Sequence, residues 1–444
     1  MPLVNRHVVV IGGGFAGLRA AVTLADAGVR VTVLESRNGL GGRARSFTDP
    51  ATGEVVDNGQ HLFLGGYHRT LAFLERLGTR GRIRFQERLK VSFVRPGGAV
   101  SVLDCPEARA PGHLFLGMLR LSGIPILDRL SLWRVWRETG RPGPEETVER
   151  WLTRLGQGAR SRAAFWDPFV LAALNERPEI ASASGLKRVL STLMNEPWPN
   201  SRLGMATVGL SDLYTEAARR LIEQSGGSIQ VNRPAARLQV QAGRVEGVRL
   251  ADGTRIDADA VISAVPPAAF LRLLPEGIPE CEELARPLRR FMSSPILSVN
   301  LWLDRPVTGE LFVALIGCRF QWLFNKQAIL RLAGIPAGYV SLILSAARDC
   351  LDRPNEELIQ MALEDLRACF PQETGPNLVR AQVVREREAT VSLTPETEPL
   401  RPGPRANLRD LFLAGDWTAT GLPATIESAV VSGESAAAAI CANA

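Results

Sequence analysis

Lysine is nearly missing from this chain. Of its 52 basic residues only Lys90, Lys187 and Lys326 are lysine, and the arginines are scattered from end to end. Scattered arginine reads as solvated surface, and no basic run is interleaved with aromatics, so no nucleic-acid partner is expected. The formal charge of +6 still suits contact with an anionic membrane surface. Aromatic residues make up only 6%, and three of them are tyrosine. Cysteine is sparse as well. Cys105, Cys281, Cys318, Cys350, Cys369 and Cys441 form no CxxC pair, and His7, His61, His68 and His113 add no ligand cluster. Neither a disulfide framework nor a metal centre is expected, and scattered single cysteines suit a reducing cytosol. No uninterrupted apolar run reaches the roughly eighteen residues of a spanning helix. Residues 1–14 lack the basic n-region and the small-residue cleavage site of a secretory signal. The expected location is cytoplasmic, with peripheral contact to the inner membrane surface.

What is present points to a large folded protein. At 444 residues and 45% apolar content, the chain can bury a sizeable core over two or three structural units. Residues 7–11 form a continuous apolar run, as a buried parallel strand does. Helical spacing follows through Phe15, Leu18, Ala21, Val22 and Ala25, with Gly28 as the stop. Residues 31–34 make the next strand, ending at Glu35, so the chain opens with a βαβ unit. Helices are predicted over 68–78 and 211–225. Between about 105 and 200 a helix-rich stretch is cut into short pieces by prolines. Residues 228–265 are β-rich, with turns at 241–244 and Asp252-Gly253. Strands are predicted at 296–303 and 339–346. Asn355 is expected to cap a helix whose apolar face is Leu358, Ile359, Ala362, Leu363 and Leu366. A strand at 411–413 and an alanine-rich helix from about 424 close the chain.

Gly12-Gly13-Gly14-Phe15-Ala16-Gly17 has the spacing G-x-G-x-x-G between that first strand and helix. Gly12 permits the tight turn, Gly14 lets the backbone approach a pyrophosphate, and Gly17 lets helix and strand pack closely. The helix N-terminus then attracts the phosphate charge. Glu35, with Ser36 beside it, ends the second strand where a carboxylate accepts from ribose hydroxyls. Three further features favour a flavin over a nicotinamide. Leu40-Gly41-Gly42-Arg43 offers close backbone approach and a guanidinium to neutralise a pyrophosphate. Residues 56–61, Val-Asp-Asn-Gly-Gln-His, follow. Near the other end, Gly415-Asp416 comes after a strand, where it suits hydrogen bonding to a ribityl chain. A helix N-terminus at 424–427, around Ile426, could set its dipole against the flavin N1–C2=O region.

These parts, in this order at both ends, resemble the FAD-dependent amine oxidase and phytoene desaturase superfamily over the whole chain. The segments 57–65, 168–183, 320–326 and 411–430 resemble more narrowly the hydroxysqualene dehydroxylases, also labelled squalene-associated FAD-dependent desaturases, of bacterial hopanoid synthesis. Leu422 and Ser428 depart from that pattern, which has an aromatic and a glycine there. The resemblance implies an α/β fold with a discontinuous Rossmann-type FAD domain of the glutathione-reductase-like kind, from residues 1–90, 204–268 and 376–444. An interleaved α+β substrate domain comes from 91–203 and 269–375. It implies non-covalent FAD, with Ala235 in the segment that meets the adenine and Gly59-Gln60 near the flavin. It also implies reduction of hydroxysqualene, or a related long isoprenoid, to squalene and water. The alternatives are a phytoene-type carotenoid desaturase or isomerase, and a non-catalytic prenyl-lipid escort protein of the same fold.

The reaction needs an apolar tunnel and one proton donor. His61 is the candidate donor or water-positioning group, against the plainer reading of a histidine packed beside the cofactor. Lys326 invites comparison with the flavin-N5 lysine of amine oxidases, but a solvated lysine is the favoured reading. Residues 113–136 combine a wide apolar face with Arg120, Arg129 and Arg134, and so either rest in a membrane interface or line the substrate cavity. No second G-x-G-x-x-G follows another strand, so an external electron donor is expected rather than a dedicated NAD(P)H site.

Overall fold

Five short runs, apolar where both faces are covered and half-buried at the edge run Ser228–Gln230, assemble into one parallel sheet. Their order is Ser228–Gln230, Arg30–Leu34, His7–Ile11, Ala260–Ser263 and Leu411–Leu413. The computed structural model describes residues 6–50, 53–138, 142–331, 338–371 and 375–442, so the first five residues of the opening segment lie outside the described residues. Side chains alternate along the central strand. Val8 and Val10 face the helices Phe15–Asp26, Leu210–Gln224 and Ile426–Cys441. Val9 and Ile11 face a small antiparallel sheet, built from Ala235–Gln241, Arg244–Leu250 and Arg255–Asp257, and the helices Pro267–Leu273 and Pro279–Leu288. The first helix meets the first strand closely. A Cβ on Gly17 would lie 1.9 Å from the Gly12 carbonyl oxygen, so only glycine fits there.

A second, seven-stranded sheet runs in the order Leu378–Val391, Ser293–Leu303, Val340–Leu344, Trp322–Asn325, Phe312–Leu315, Lys90–Val94 and Val100–Asp104. The helix Asn355–Cys369 covers one face through Leu358, Ala362 and Leu366. Helices drawn from 112–195, with Trp136, Trp151, Phe165 and Trp166 in the packing, cover the other. The strand Leu378–Val391, expected to be part of the FAD domain, pairs along Ser293–Leu303 in this sheet. Its sequence hid this. An edge strand carries charge to blunt further pairing, and Arg380, Arg385, Glu386, Arg387 and Glu388 leave no apolar run to read.

Two smaller expectations are also corrected. Asn355 is the first residue of its helix rather than the cap; its side-chain oxygen accepts from Arg385 Nη1 at 2.6 Å. The last helix starts at Ile426, with the Thr425 hydroxyl accepting from the Ser428 amide. Cys318 and Cys369, far apart in sequence, meet with their sulfurs 3.2 Å apart as free thiols.

The 113–136 segment forms two helices, Gly112–Arg120 and Ile126–Arg137. Their inner faces, with His113, Leu114, Leu132, Val135 and Trp136, are buried, whereas Leu116, Ile126, Leu127 and Leu130 stand exposed. The buried side packs into the core against the seven-stranded sheet. Among the described residues no helix is long and apolar enough to cross a membrane.

Candidate functional site

The carboxyl ends of the parallel strands open into a cavity of about 530 Å³, where ligands bind in open α/β sheets. The structure brings to its wall Gly12, Gly14, Phe15, Ala16, Glu35, Ser36, Gly42, Arg43, His61, Ala235, Gly415, Asp416 and Ile426. Of the residues singled out from the sequence, Gly17, Gly59 and Gln60 stand off the wall. Gly17 packs against the Gly12 carbonyl, as its spacing implied. Gln60 holds a side-chain network described below. Reading the sequence missed the segment 386–390, with Glu386 and Glu388, and the turn 264–266, both of which line the cavity. The first is charged and lies on the edge strand, so no motif announced it.

The wall is preorganised by hydrogen bonds between its own parts. Gly14 ends the first helix with no side-chain cap, and no acidic residue occupies the first turn. The amides and dipole of that helix start are therefore free for an anion. Glu35 is buried; one of its oxygens accepts from the Gly13 amide at 2.9 Å and the other from the Arg37 amide at 2.9 Å. Its carboxylate thus fixes the glycine loop and lies at the cavity wall. Gly14 and Gly42 face each other backbone to backbone: a Cβ on Gly42, whose φ is +55°, would lie 3.2 Å from the Gly14 Cα. Tyr214 completes this part. Its ring stacks on Phe15 at 3.7 Å, and its hydroxyl donates to the Gly41 carbonyl at 2.7 Å. Burial pushes the Tyr214 hydroxyl well above the ordinary tyrosine value, which keeps it a donor. No sequence pattern pointed to Tyr214.

Arg43 and Asp416 pair across the cavity, with Nη2 and Oδ1 2.5 Å apart. Burial works against the Arg43 charge, but the Asp416 carboxylate, with Glu386 and Glu388 nearby, more than restores it. Asn58 binds the same region together, donating to the Arg43 carbonyl and to Glu386, both at 2.9 Å. Beneath Asp416, buried Arg401 donates to its backbone carbonyl at 2.9 Å and to the Leu422 carbonyl at 2.7 Å. Ser428, at the position that departs from the family pattern, lies 2.7 Å from the Thr420 hydroxyl and holds the same loop.

Lys326 overturns its expected solvated state. It is only 3% exposed, and its ammonium donates to Asp57 Oδ2 at 2.8 Å and to Gln60 Oε1 at 3.0 Å. A buried ammonium is tolerated because it is paired and hydrogen-bonded. Burial opposes the Asp57 charge, yet Lys326, with the Leu210 amide and the Ser46 hydroxyl, holds its carboxyl below the usual carboxylate range. His61 follows in the same turn, its Nδ1 3.3 Å from the Gly59 carbonyl. Burial pushes its imidazole below the ordinary value, against the pull of Asp57.

FAD fits these residues. The uncapped helix start and the Gly14–Gly42 cradle admit a pyrophosphate, and Arg43 supplies the matching charge. Glu35 and Ala235 lie where a ribose and an adenine are expected, and Gly415, Asp416 and Ile426 where a ribityl chain and flavin are expected.

Comparison with known proteins agrees. The model of the family described as flavin containing amine oxidoreductase matches residues 15–441. A hydroxysqualene dehydroxylase from Sinorhizobium fredii is 32% identical, over 97% of this chain and 97% of its own length. A 15-cis-phytoene desaturase from Solanum lycopersicum is 24% identical, over 99% of this chain and 78% of its own. Among solved structures, an oxidoreductase from Methanosarcina mazei superposes with a TM-score of 0.74 at 19% identity, covering 96% of this chain and 98% of its own.

With FAD placed as this fit implies, replacing Arg43 by Ala would take away the pyrophosphate's counter-charge and the Asp416 carboxylate's ion-pair partner. Charge-assisted hydrogen bonds contribute about 1.5–3 kcal/mol, so FAD should dissociate roughly ten- to a hundredfold more readily. Flavin fluorescence titration of the apoprotein measures this. An unchanged dissociation constant would contradict the assignment of Arg43.

Proposed function

The chain belongs to the flavin containing amine oxidoreductase family and, within it, to the hydroxysqualene dehydroxylases; from that premise we propose that this FAD-dependent oxidoreductase reduces hydroxysqualene to squalene. The carrying observation is a junction of two neighbouring residues. His61 lines the cofactor cavity, while Leu62 packs against the apolar layer between the seven-stranded sheet and the helices of 112–195. We place the isoprenoid where this apolar layer approaches the cofactor cavity, next to His61. Two electrons must reach the substrate carbon, and reduced FAD supplies them as a hydride when bound.

The remaining work falls to the protein. An allylic hydroxyl leaves as water once it is protonated, and the allylic cation left behind is delocalised. His61 provides that proton in its imidazolium form, and the carbon–oxygen bond breaks as the carbon–hydrogen bond forms. The apolar residues around Leu62 exclude bulk water from the cation. Electrons return to the cofactor from an external reductant, in keeping with the single G-x-G-x-x-G. An enzyme of this family is not the non-catalytic escort protein considered from the sequence. The desaturase alternative runs the hydride the other way on a polyene, and product analysis separates the two.

The exposed side of the two helices at 112–137 supports peripheral membrane contact. Leu116, Ile126, Leu127 and Leu130 are exposed, and Arg120, Arg134 and Arg137 on the same two helices are exposed as well. Apolar side chains flanked by cations suit an anionic bilayer surface, where an isoprenoid substrate resides.

Two measurements follow. In anaerobic single turnover of the pre-reduced holoenzyme with hydroxysqualene, His61→Gln should retain FAD and slow flavin reoxidation about a hundredfold or more. The wild-type rate should fall as pH rises through a value below the ordinary imidazole range, because the buried imidazole gives up its proton early. A pH-independent rate, or a variant as fast as wild type, removes His61 as donor. Separately, Ile126→Asp/Leu127→Asp should weaken binding to phosphatidylglycerol-containing vesicles about tenfold or more without altering the FAD spectrum. Equal sedimentation with vesicles would contradict the docking role.

A further inference from the structure

Lys326 is buried at the join between the two sheets; of its two partners, Asp57 ends the strand Val55–Asp57 and Gln60 lies in the turn that carries His61. It starts the short helix Lys326–Leu330 directly after the strand Trp322–Asn325 of the seven-stranded sheet. From there its ammonium reaches Asp57 and Gln60, on the side of the cofactor cavity. Asp57 is already fixed from other directions, since its Oδ1 accepts from the Leu210 amide at 3.0 Å and from the Ser46 hydroxyl at 2.7 Å. Gln60 has no such anchor. Its Oε1 accepts from Lys326, and its amide nitrogen donates to the His61 carbonyl at 3.3 Å. His61 in turn places Nδ1 against the Gly59 carbonyl, which leaves Nε2 for the cavity that the residue lines.

We propose that Lys326 is a positioning residue for the proton donor: its ammonium fastens Gln60, and through it the 59–61 turn, so that His61 presents Nε2 to the cavity. The inference rests on the reading of His61 as donor. The alternative is an ion pair that joins the two sheets and does nothing for His61. The single-turnover rate measured with His61 protonated in both proteins separates these roles, and the titration reports how strongly the charges are coupled. The charged groups acting on His61 are the carboxylates of Asp57 and Glu386, which raise its proton affinity, and the ammonium of Lys326, which lowers it. A methionine at 326 leaves the two carboxylates unopposed, so the imidazole should hold its proton to higher pH.

The test uses holoenzyme labelled with 15N-histidine. The chain has four histidines, and the resonance missing from His61→Gln identifies the one of interest. In Lys326→Met the His61 titration should move upward by roughly one pH unit, with FAD still bound. In single turnover at a pH low enough to protonate His61 in both proteins, the limiting rate should fall about tenfold or more, with hydroxysqualene saturating over the same concentration range. Removing one partner of a buried pair is costly. If Lys326→Met does not fold, Asp57→Asn/Lys326→Met removes both charges together, and the rate loss should persist because Gln60 is still unheld. A Lys326→Met enzyme, or the double variant, that keeps the wild-type limiting rate with His61 protonated overturns the inference. A wild type that makes no squalene defeats the functional reading instead; the titration shift then still upholds the coupling of Lys326 to His61.

Discussion

The site depends on a meeting of parts that lie far apart in the chain. The Arg43–Asp416 pair spans 373 positions and closes the cofactor cavity from both sides. The glycine loop before the first helix, Gly42-Arg43 and the last strand can cooperate only if the parallel sheet brings its first and last members together. It does so because His7–Ile11 and Leu411–Leu413 both flank Ala260–Ser263. Asn58 and Arg401 then fix the pair from opposite sides. The charge is thus set in place before any ligand arrives, and binding spends less free energy on ordering it.

The parts of the fold that repeat a local physical rule were legible in the sequence. The βαβ opening, the glycine spacing and the closing helix are contiguous patterns of burial and turn chemistry, and each lies within two residues of its expected place. Contacts set by tertiary folding were not legible. Tyr214 reaches the Gly41 carbonyl from a helix 173 positions away, and an amphipathic pattern says nothing of what its one hydroxyl meets. The strand Leu378–Val391 went unread because edge position, not burial, dictates its charged residues. Lys326 was misread for a related reason. A lysine is solvated unless a partner is supplied, and that partner lies 269 positions away.

Two environments meet at His61. The cofactor cavity is lined by backbone and charge, whereas the layer beyond Leu62 is apolar and rich in tryptophan and phenylalanine. The proposed removal of a hydroxyl from an isoprenoid would use both: charge and hydrogen bonds to hold FAD, and a dry surface to shelter a short-lived cation. Burial and the Lys326 ammonium lower the proton affinity of the imidazole, and the carboxylates of Asp57 and Glu386 pull against them.

The most direct test of this chemistry is a mass measurement. Pre-reduced holoenzyme in deuterium oxide is mixed anaerobically with unlabelled hydroxysqualene, and the extracted lipid is weighed by mass spectrometry. Squalene carrying one carbon-bound deuterium is the expected product, because the transferred hydrogen comes from a solvent-exchanged position on the reduced cofactor while the hydroxyl departs as water. Recovery of the intact alcohol, or of a polyene with an added double bond, would contradict reductive dehydroxylation.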